Sequence, residues 1–130
     1  MMTRELVDCE DSLCEAVIGA AIAVHRELGP GLLESVYGKA LLVELAERGI
    51  RAEAEVEVGA RYKGHDLGLG LRADIVVEGR LLLELKSVNK LTDLHLAQVI
   101  SYLKLLGLKR GYLLNFNCKR MKDGIKRVSI

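Results

Sequence analysis

Apolar residues recur at helical intervals through Leu13, Val17, Ala20, Ala21, Val24 and Leu28, and the run stops at Gly29 and Pro30. Ser12 and Glu15 have capping-box spacing at its front, so a first helix is expected to begin there. A second stretch of the same period carries Leu33, Val36, Tyr37, Ala40, Leu41 and Leu45 and ends at Gly49. It predicts a helix from Leu32 to Arg48 with those residues on its buried side. The corner Gly29, Pro30, Gly31 joins the two as a helical hairpin.

From Ala52 the period shortens to two. Ala52, Ala54, Val56 and Val58 alternate with Glu53, Glu55 and Glu57, the pattern of a strand with one wet face. Arg61 to Lys63, Leu71 to Val77 and Leu81 to Lys86 supply further strands of a meander, separated by Gly64, by Gly68 and Gly70, and by the turn Glu78, Gly79. A third helix is predicted from Asp93 to Leu106, capped by Thr92 or Asp93 and closed by Gly107, with Leu96, Val99, Ile100, Leu103 and Leu106 as its core stripe. Gly111 to Phe116 then reads as a buried strand and Ile125 to Val128 as a short last one. This order predicts an α/β (α+β) fold: a helical hairpin, a β-meander, a helix and two further strands in a mixed sheet. No repeat, low-complexity tract or linker divides the chain, so residues 1–130 are expected to form a single domain. Half of the residues are hydrophobic, enough for one core.

Charge changes the picture only locally. The 19 basic and 18 acidic residues leave a formal charge of +1, so no overall basic field advertises nucleic acid. A local patch would have to meet it. Lys119, Arg120, Lys122, Lys126 and Arg127 concentrate around a turn at Asp123 and Gly124, and Lys104, Lys109 and Arg110 would extend that patch. It suits phosphate contact, and it equally suits a solvated hairpin whose lysines protect a sheet edge. Cys9, Cys14 and Cys118 lack metal-ligand spacing and read as small hydrophobes of a reduced, cytoplasmic protein. The apolar run from Ala16 to Val24 is too short to cross a bilayer and ends at His25, Arg26 and Glu27, so no membrane partner is expected. His25, His65 and His95 offer no zinc spacing, and Gly64 to Gly70 lacks the order of a phosphate loop.

Chemistry is expected where charge enters apolar strands. In Leu81 to Lys86, alternation puts Glu84 and Lys86 on one face and Leu81, Leu83 and Leu85 on the other. An ion pair in so apolar a strand costs desolvation that packing does not require, although a structural salt bridge accounts for the pair as well. Asp74 interrupts the neighbouring apolar strand. A two-residue loop of Glu78 and Gly79 would set Asp74 opposite Leu83; a three-residue loop, Glu78 to Arg80, sets it opposite Glu84. The three-residue loop, or an equivalent bulge, is the expected one. Two carboxylates so placed can share a hard divalent ion, and Lys86 beside it can position the attacking water and offset phosphate charge.

Asp, then Glu, one residue and Lys on adjacent strands resembles the signature of the PD-(D/E)xK nuclease superfamily. Gly31, Leu32, Leu33, Glu34, Ser35, Val36, Tyr37 spells the motif that names the GxxExxY proteins. The resemblance continues through Tyr62 to Gly64, Arg72 to Asp74, Glu84 to Ser87, Gln98 to Tyr102, Asn115 to Asn117 and Asp123 to Ile125. Ala73 departs from it, since a larger apolar residue is more usual there. The resemblance implies a restriction-endonuclease-like core and a divalent metal held by Asp74, Glu84 and the Leu85 carbonyl, with Glu34 joining from its helix. Mg²⁺ is the implied ion and Mn²⁺ its substitute. Tyr37 is expected in the core. Gln98 and Tyr102, four apart on the third helix, resemble the Q-x-x-x-Y pair of the RecB-like branch, which implies that Gln98 supports the catalytic residues and Tyr102 contacts nucleic acid.

The expected activity is metal-dependent hydrolysis of phosphodiester bonds in DNA, with RNA the second candidate. Asp74, Glu84, Lys86 and Gln98 would be catalytic, and Lys119, Arg120 and Lys122 would bind nucleic acid. The alternative is a catalytically silent nuclease fold that works as a binding or assembly module. A homodimer or higher oligomer would help either reading by pooling basic patches.

Overall fold

The two sequence periods produce helices and strands in the predicted order. The computed structural model describes residues 12–68 and 70–130, with residues 2–11 and 69 entering only as parts of the elements that contain them. The described elements are α1 (Met2–Leu28), α2 (Glu34–Glu47), β1 (Ala52–Tyr62), β2 (His65–Val77), β3 (Leu81–Lys86), α3 (Asp93–Leu106), β4 (Arg110–Asn115) and β5 (Ile125–Ser129). A 3₁₀ turn, Met121–Gly124, leads into β5.

The five strands form one mixed sheet in the order β1-β2-β3-β4-β5. All neighbours are antiparallel except β3 and β4, where Leu81 pairs with Arg110 and Lys86 with Asn115 in parallel. A parallel pair needs a crossover, and α3 supplies it over one face. The opposite face is covered by α1 and α2: Val17, Ala21, Tyr37, Leu41 and Leu45 pack on Ile75, Leu81, Leu83, Leu85, Leu114 and Phe116. Beneath α3, Val99, Tyr102 and Leu103 pack on Leu82, Leu113, Val128 and Val58. With helices on both faces, β3 is buried from Leu81 to Leu85, which explains its nearly unbroken apolar run.

The predicted bounds of α3 hold, and the reason is local. Thr92 accepts from the His95 N–H, the His95 ring accepts from the Thr92 N–H, and Gly107 closes the helix in the left-handed conformation (φ 72).

Four expectations need correction. The first helix already includes Ser12, so the residues that look like a capping box lie inside it. Leu33 and Val36 do not join the buried side of α2: they are 73% and 41% exposed, whereas Tyr37, Leu41 and Leu45 are buried. Arg61 to Lys63 is not a separate strand. Arg61 and Tyr62 continue β1, Lys63 and Gly64 make the tight turn with positive φ (50 and 83), and β2 starts at His65 and runs through Gly68 and Gly70. Finally, Asp123 and Gly124 close a 3₁₀ turn whose Met121 is buried, rather than forming the tip of a hairpin.

The wet-face reading of β1 also changes. Ala52 packs toward α1 and α2 but Val56 and Val58 pack toward α3, so the side-chain alternation slips between them. Glu55 sits at the slip with φ 51, flanked by the pairs Ala54–Ile75 and Val56–Ala73. The same slip separates Ile75 from Ala73 in β2, with Asp74 between them. Cys14 is buried and Cys118 half-buried, as expected of small hydrophobes; Cys9 lies outside the described residues.

Candidate active site

The β2–β3 ladder contains three pairs, Val77–Leu81, Val76–Leu82 and Ile75–Leu83. Its turn has Glu78 and Gly79 at positive φ (52 and 65), and the Arg80 N–H donates to the Val77 carbonyl at 2.9 Å. Because pairing resumes at Leu81, Arg80 is the extra residue that makes a three-residue loop. Glu78 is held in its unusual conformation from the residue before β1: its N–H donates to the Arg51 carbonyl, and its carboxylate accepts the Arg51 N–H, both at 2.8 Å.

With that register, the next pair along the ladder is Asp74 with Glu84. Side chains replace the ladder there. The Asp74 N–H donates to Glu84 Oε2, and the Leu85 N–H donates to Asp74 Oδ2, each at 2.8 Å. Since N–H and C=O of one strand residue point to the same side, the Leu85 carbonyl faces this opening too.

The electrostatics follow from the placement. Glu84 is 3% exposed. Burial, and then the charge of Asp74, push its carboxyl up to about 7, against partial relief from the Asp74 N–H and Lys86. The Asp74 carboxyl is also raised, chiefly by burial, while the Leu85 N–H and Lys86 pull it down and the charges of Glu34 and Glu55 push it up. Two hard carboxylates are thus crowded together with too little positive charge, a donor set that fits a small divalent cation.

Glu34 is the first residue of α2 and stands exposed on the rim of a cleft of about 480 Å³ that Asp74, Gly38, Ile75 and Leu85 also line. Its charge reaches both Asp74 and Glu84. It is not at ligating distance with them: among the described residues, no three His, Cys, Asp or Glu side chains gather closely enough to hold a metal ion by themselves. The arrangement is a pair with Glu34 facing it across the cleft.

Lys86 shares the Glu84 face of β3, as alternation predicts, and its charge acts on both carboxyls. On α3, Gln98 neighbours the Tyr102 hydroxyl, and Tyr102 feels the charge of Glu84, so both residues back onto the acidic pair from the α3 side. Tyr102 is only 7% exposed, and burial comes first in raising its pKa. Its ring packs in the core and is not displayed for stacking. Lys119, Arg120 and Lys122 are exposed in the segment between β4 and β5, with Arg120 Nε 3.9 Å from Asp123 Oδ2. That segment leaves the same end of the sheet as Lys86, because the Phe116 N–H donates to the Lys86 carbonyl at 2.9 Å.

A family model of the PD-(D/E)XK nuclease superfamily matches residues 11–128. The chain belongs to that superfamily. No curated protein and no solved structure matches it. Nucleases of this superfamily generally depend on a divalent metal and act on nucleic acid, and the mixed sheet between helical layers agrees with their restriction-endonuclease-like fold. Among the described residues, no helix is long and apolar enough to cross a membrane.

Sequence reasoning misses two residues at this candidate site. Glu55, read as part of a wet face, borders the cleft opposite Asp74 and binds Arg72 at 3.2 Å. Its signal is faint, one glutamate among three in an alternating strand. Ser87 stands out in the sequence only as the residue after Lys86, yet its hydroxyl donates to the Leu32 carbonyl at 2.6 Å.

Proposed function

We propose that this chain is a metal-dependent nuclease of the GxxExxY group, hydrolysing phosphodiester bonds of DNA, with RNA the second substrate. The observation that carries this reading is the paired capture of Asp74 and Glu84 by backbone N–H groups where the ladder ends. Asp74, Glu84 and the Leu85 carbonyl would hold Mg²⁺ or Mn²⁺, and Glu34 would contribute through a retained water. When bound, the ion supplies Lewis-acid polarisation of the phosphate. Lys86 holds positive charge beside the acidic pair, where it orients water and offsets the anionic phosphate. Gln98 and Tyr102 fix polar groups behind that pair, and Tyr102 acts through its hydroxyl. Lys119, Arg120 and Lys122 track the phosphate backbone at the same end of the sheet.

An assembly role is favoured by one feature. Val36 and Val43 stand seven residues apart on α2 and Leu33 directly precedes the helix, all exposed, an apolar surface suited to a second copy of the chain. Pooling two basic patches would serve a domain of such low net charge.

The test incubates purified protein with single-stranded, double-stranded and branched DNA, and with RNA, in Mg²⁺, Mn²⁺ and chelator. Cleavage is expected with metal only. Asp74→Ala, Glu84→Ala and Lys86→Ala should each lower the rate by about 10² to 10⁴ while melting within a few degrees of wild type. Robust activity in all three refutes the assignment.

A further inference from the structure

Outside the acidic pair, two side chains converge on a single residue of the loop that delivers Glu34. Ser87, directly after Lys86, donates its hydroxyl to the Leu32 carbonyl at 2.6 Å. Tyr37 accepts the Leu32 N–H at 3.1 Å and donates its own hydroxyl to the Gly29 carbonyl. Leu32 is therefore held on both sides, by β3 through Ser87 and by the core through Tyr37.

Tyr37 grips the loop from the core and Ser87 from the end of β3. Tyr37 is fully buried and stacks on Phe116 with ring centroids 4.5 Å apart and planes 8° from parallel. Phe116 in turn continues β4, its N–H donating to the Lys86 carbonyl at 2.9 Å. The loop itself is exposed from Pro30 to Leu33 apart from this grip, turns through Gly29 and Gly31 at φ 73 and 95, and enters α2 at Leu33 without any side-chain cap. The helix start thus gives Glu34 no cap to fasten it, and its charge opposes those of Asp74 and Glu84. Left alone, repulsion would swing Glu34 outward.

We infer that Ser87 and Tyr37 form a clasp on Leu32 that sets Glu34 against the Asp74–Glu84 pair, making both positioning residues for the divalent cation. This rests on the metal-dependent reading above. Neither side chain contacts the cation; both act through the Leu32 backbone and the short stretch of chain from there to Glu34. The tyrosine of the G-x-x-E-x-x-Y motif thereby gains a purpose beyond packing: it closes the loop that presents the glutamate three residues earlier. The serine after the E-x-K lysine links that loop to the strand carrying the rest of the site.

The experiment is a Mn²⁺ titration of the full chain, read by electron paramagnetic resonance, with thermal melts alongside. Ser87→Ala should weaken Mn²⁺ binding by about tenfold, in the range of outer-shell substitutions, while Ser87→Thr, which keeps the hydroxyl, stays within about twofold. Tyr37→Phe keeps the ring stack and should weaken binding in the same direction. On a Glu34→Gln background, Ser87→Ala should have no further effect. Unchanged affinity in Ser87→Ala and Tyr37→Phe overturns the clasp, as does a loss that persists in full when Glu34 is already neutral. Absence of Mn²⁺ binding by the wild-type chain overturns the metal reading and the clasp with it.

Discussion

Asp74 and Glu84 stand opposite one another just past the last β2–β3 pair, and the Asp74 backbone N–H binds the Glu84 carboxylate at 2.8 Å. The Leu85 N–H returns the interaction to Asp74 at the same distance. The two carboxylates are fixed by main chain, so their separation is set by strand geometry. That is the property a site for a small, geometrically demanding ion requires.

Stability should fall with rising pH in the metal-free protein. A carboxyl whose folded-state pKa lies above its unfolded value holds its proton more tightly when folded. Its stabilisation is therefore complete below the unfolded pKa and lost as pH rises through the folded one. Glu84 moves from 4.5 to about 7, and Asp74 is raised in the same sense. In chelator, urea midpoints should report a loss of about 3 kcal/mol between pH 4.5 and 7, mostly abolished by Glu84→Gln. A midpoint that climbs over this window would contradict the placement of Glu84.

Register can be tested by deletion. Removing Arg80 leaves Glu78 and Gly79 as a two-residue loop and shifts β3 against β2 by one residue, which turns Asp74 toward Leu83. Mn²⁺ binding and cleavage should both be lost, with melting lowered yet still cooperative. Full activity in the deletion variant would show that the loop does not set the site.

Close packing next to the site should be separable from its chemistry. A Cβ at Gly111 would approach the Leu82 carbonyl oxygen to 2.8 Å and its Cβ to 3.1 Å. Gly111→Ala is expected to cost about 1–3 kcal/mol by urea denaturation and to leave Mn²⁺ affinity unchanged at a temperature where the variant is folded. A stabilised variant would mean that β3 and β4 separate more easily than their pairing suggests.

The basic segment should announce itself through salt. Lys119→Ala, Arg120→Ala and Lys122→Ala combined should flatten the dependence of log affinity on log salt by about 0.9 for every duplex phosphate that is no longer neutralised, measured by fluorescence anisotropy. The effect should not depend on DNA sequence. An unchanged slope would reduce these residues to a solvated surface.

What the sequence determined by itself is whatever one element's period can encode. Alternation in Leu81–Lys86 put Glu84 and Lys86 on one face, and the hydrogen-bonding habits of Thr92 and Gly107 bounded α3, because both effects act over a few neighbouring residues. Even the Asp74–Glu84 register was legible, since a hairpin loop differs by whole residues. Only the tertiary structure decided the rest. Leu33 and Val36 fit the period predicted for α2, yet Leu33 is the extended residue before the helix and Val36 lies outside its buried side, because which arc of a helix is covered depends on what docks there. Glu55 breaks the alternation of β1 where the hairpin twists from one core to the other. Ser87 and Leu32 lie 55 residues apart and meet only because α2 and β3 pack together. The two carboxylates could be found in the sequence; that burial and mutual charge leave Glu84 hungry for a cation is a consequence of the packed sheet.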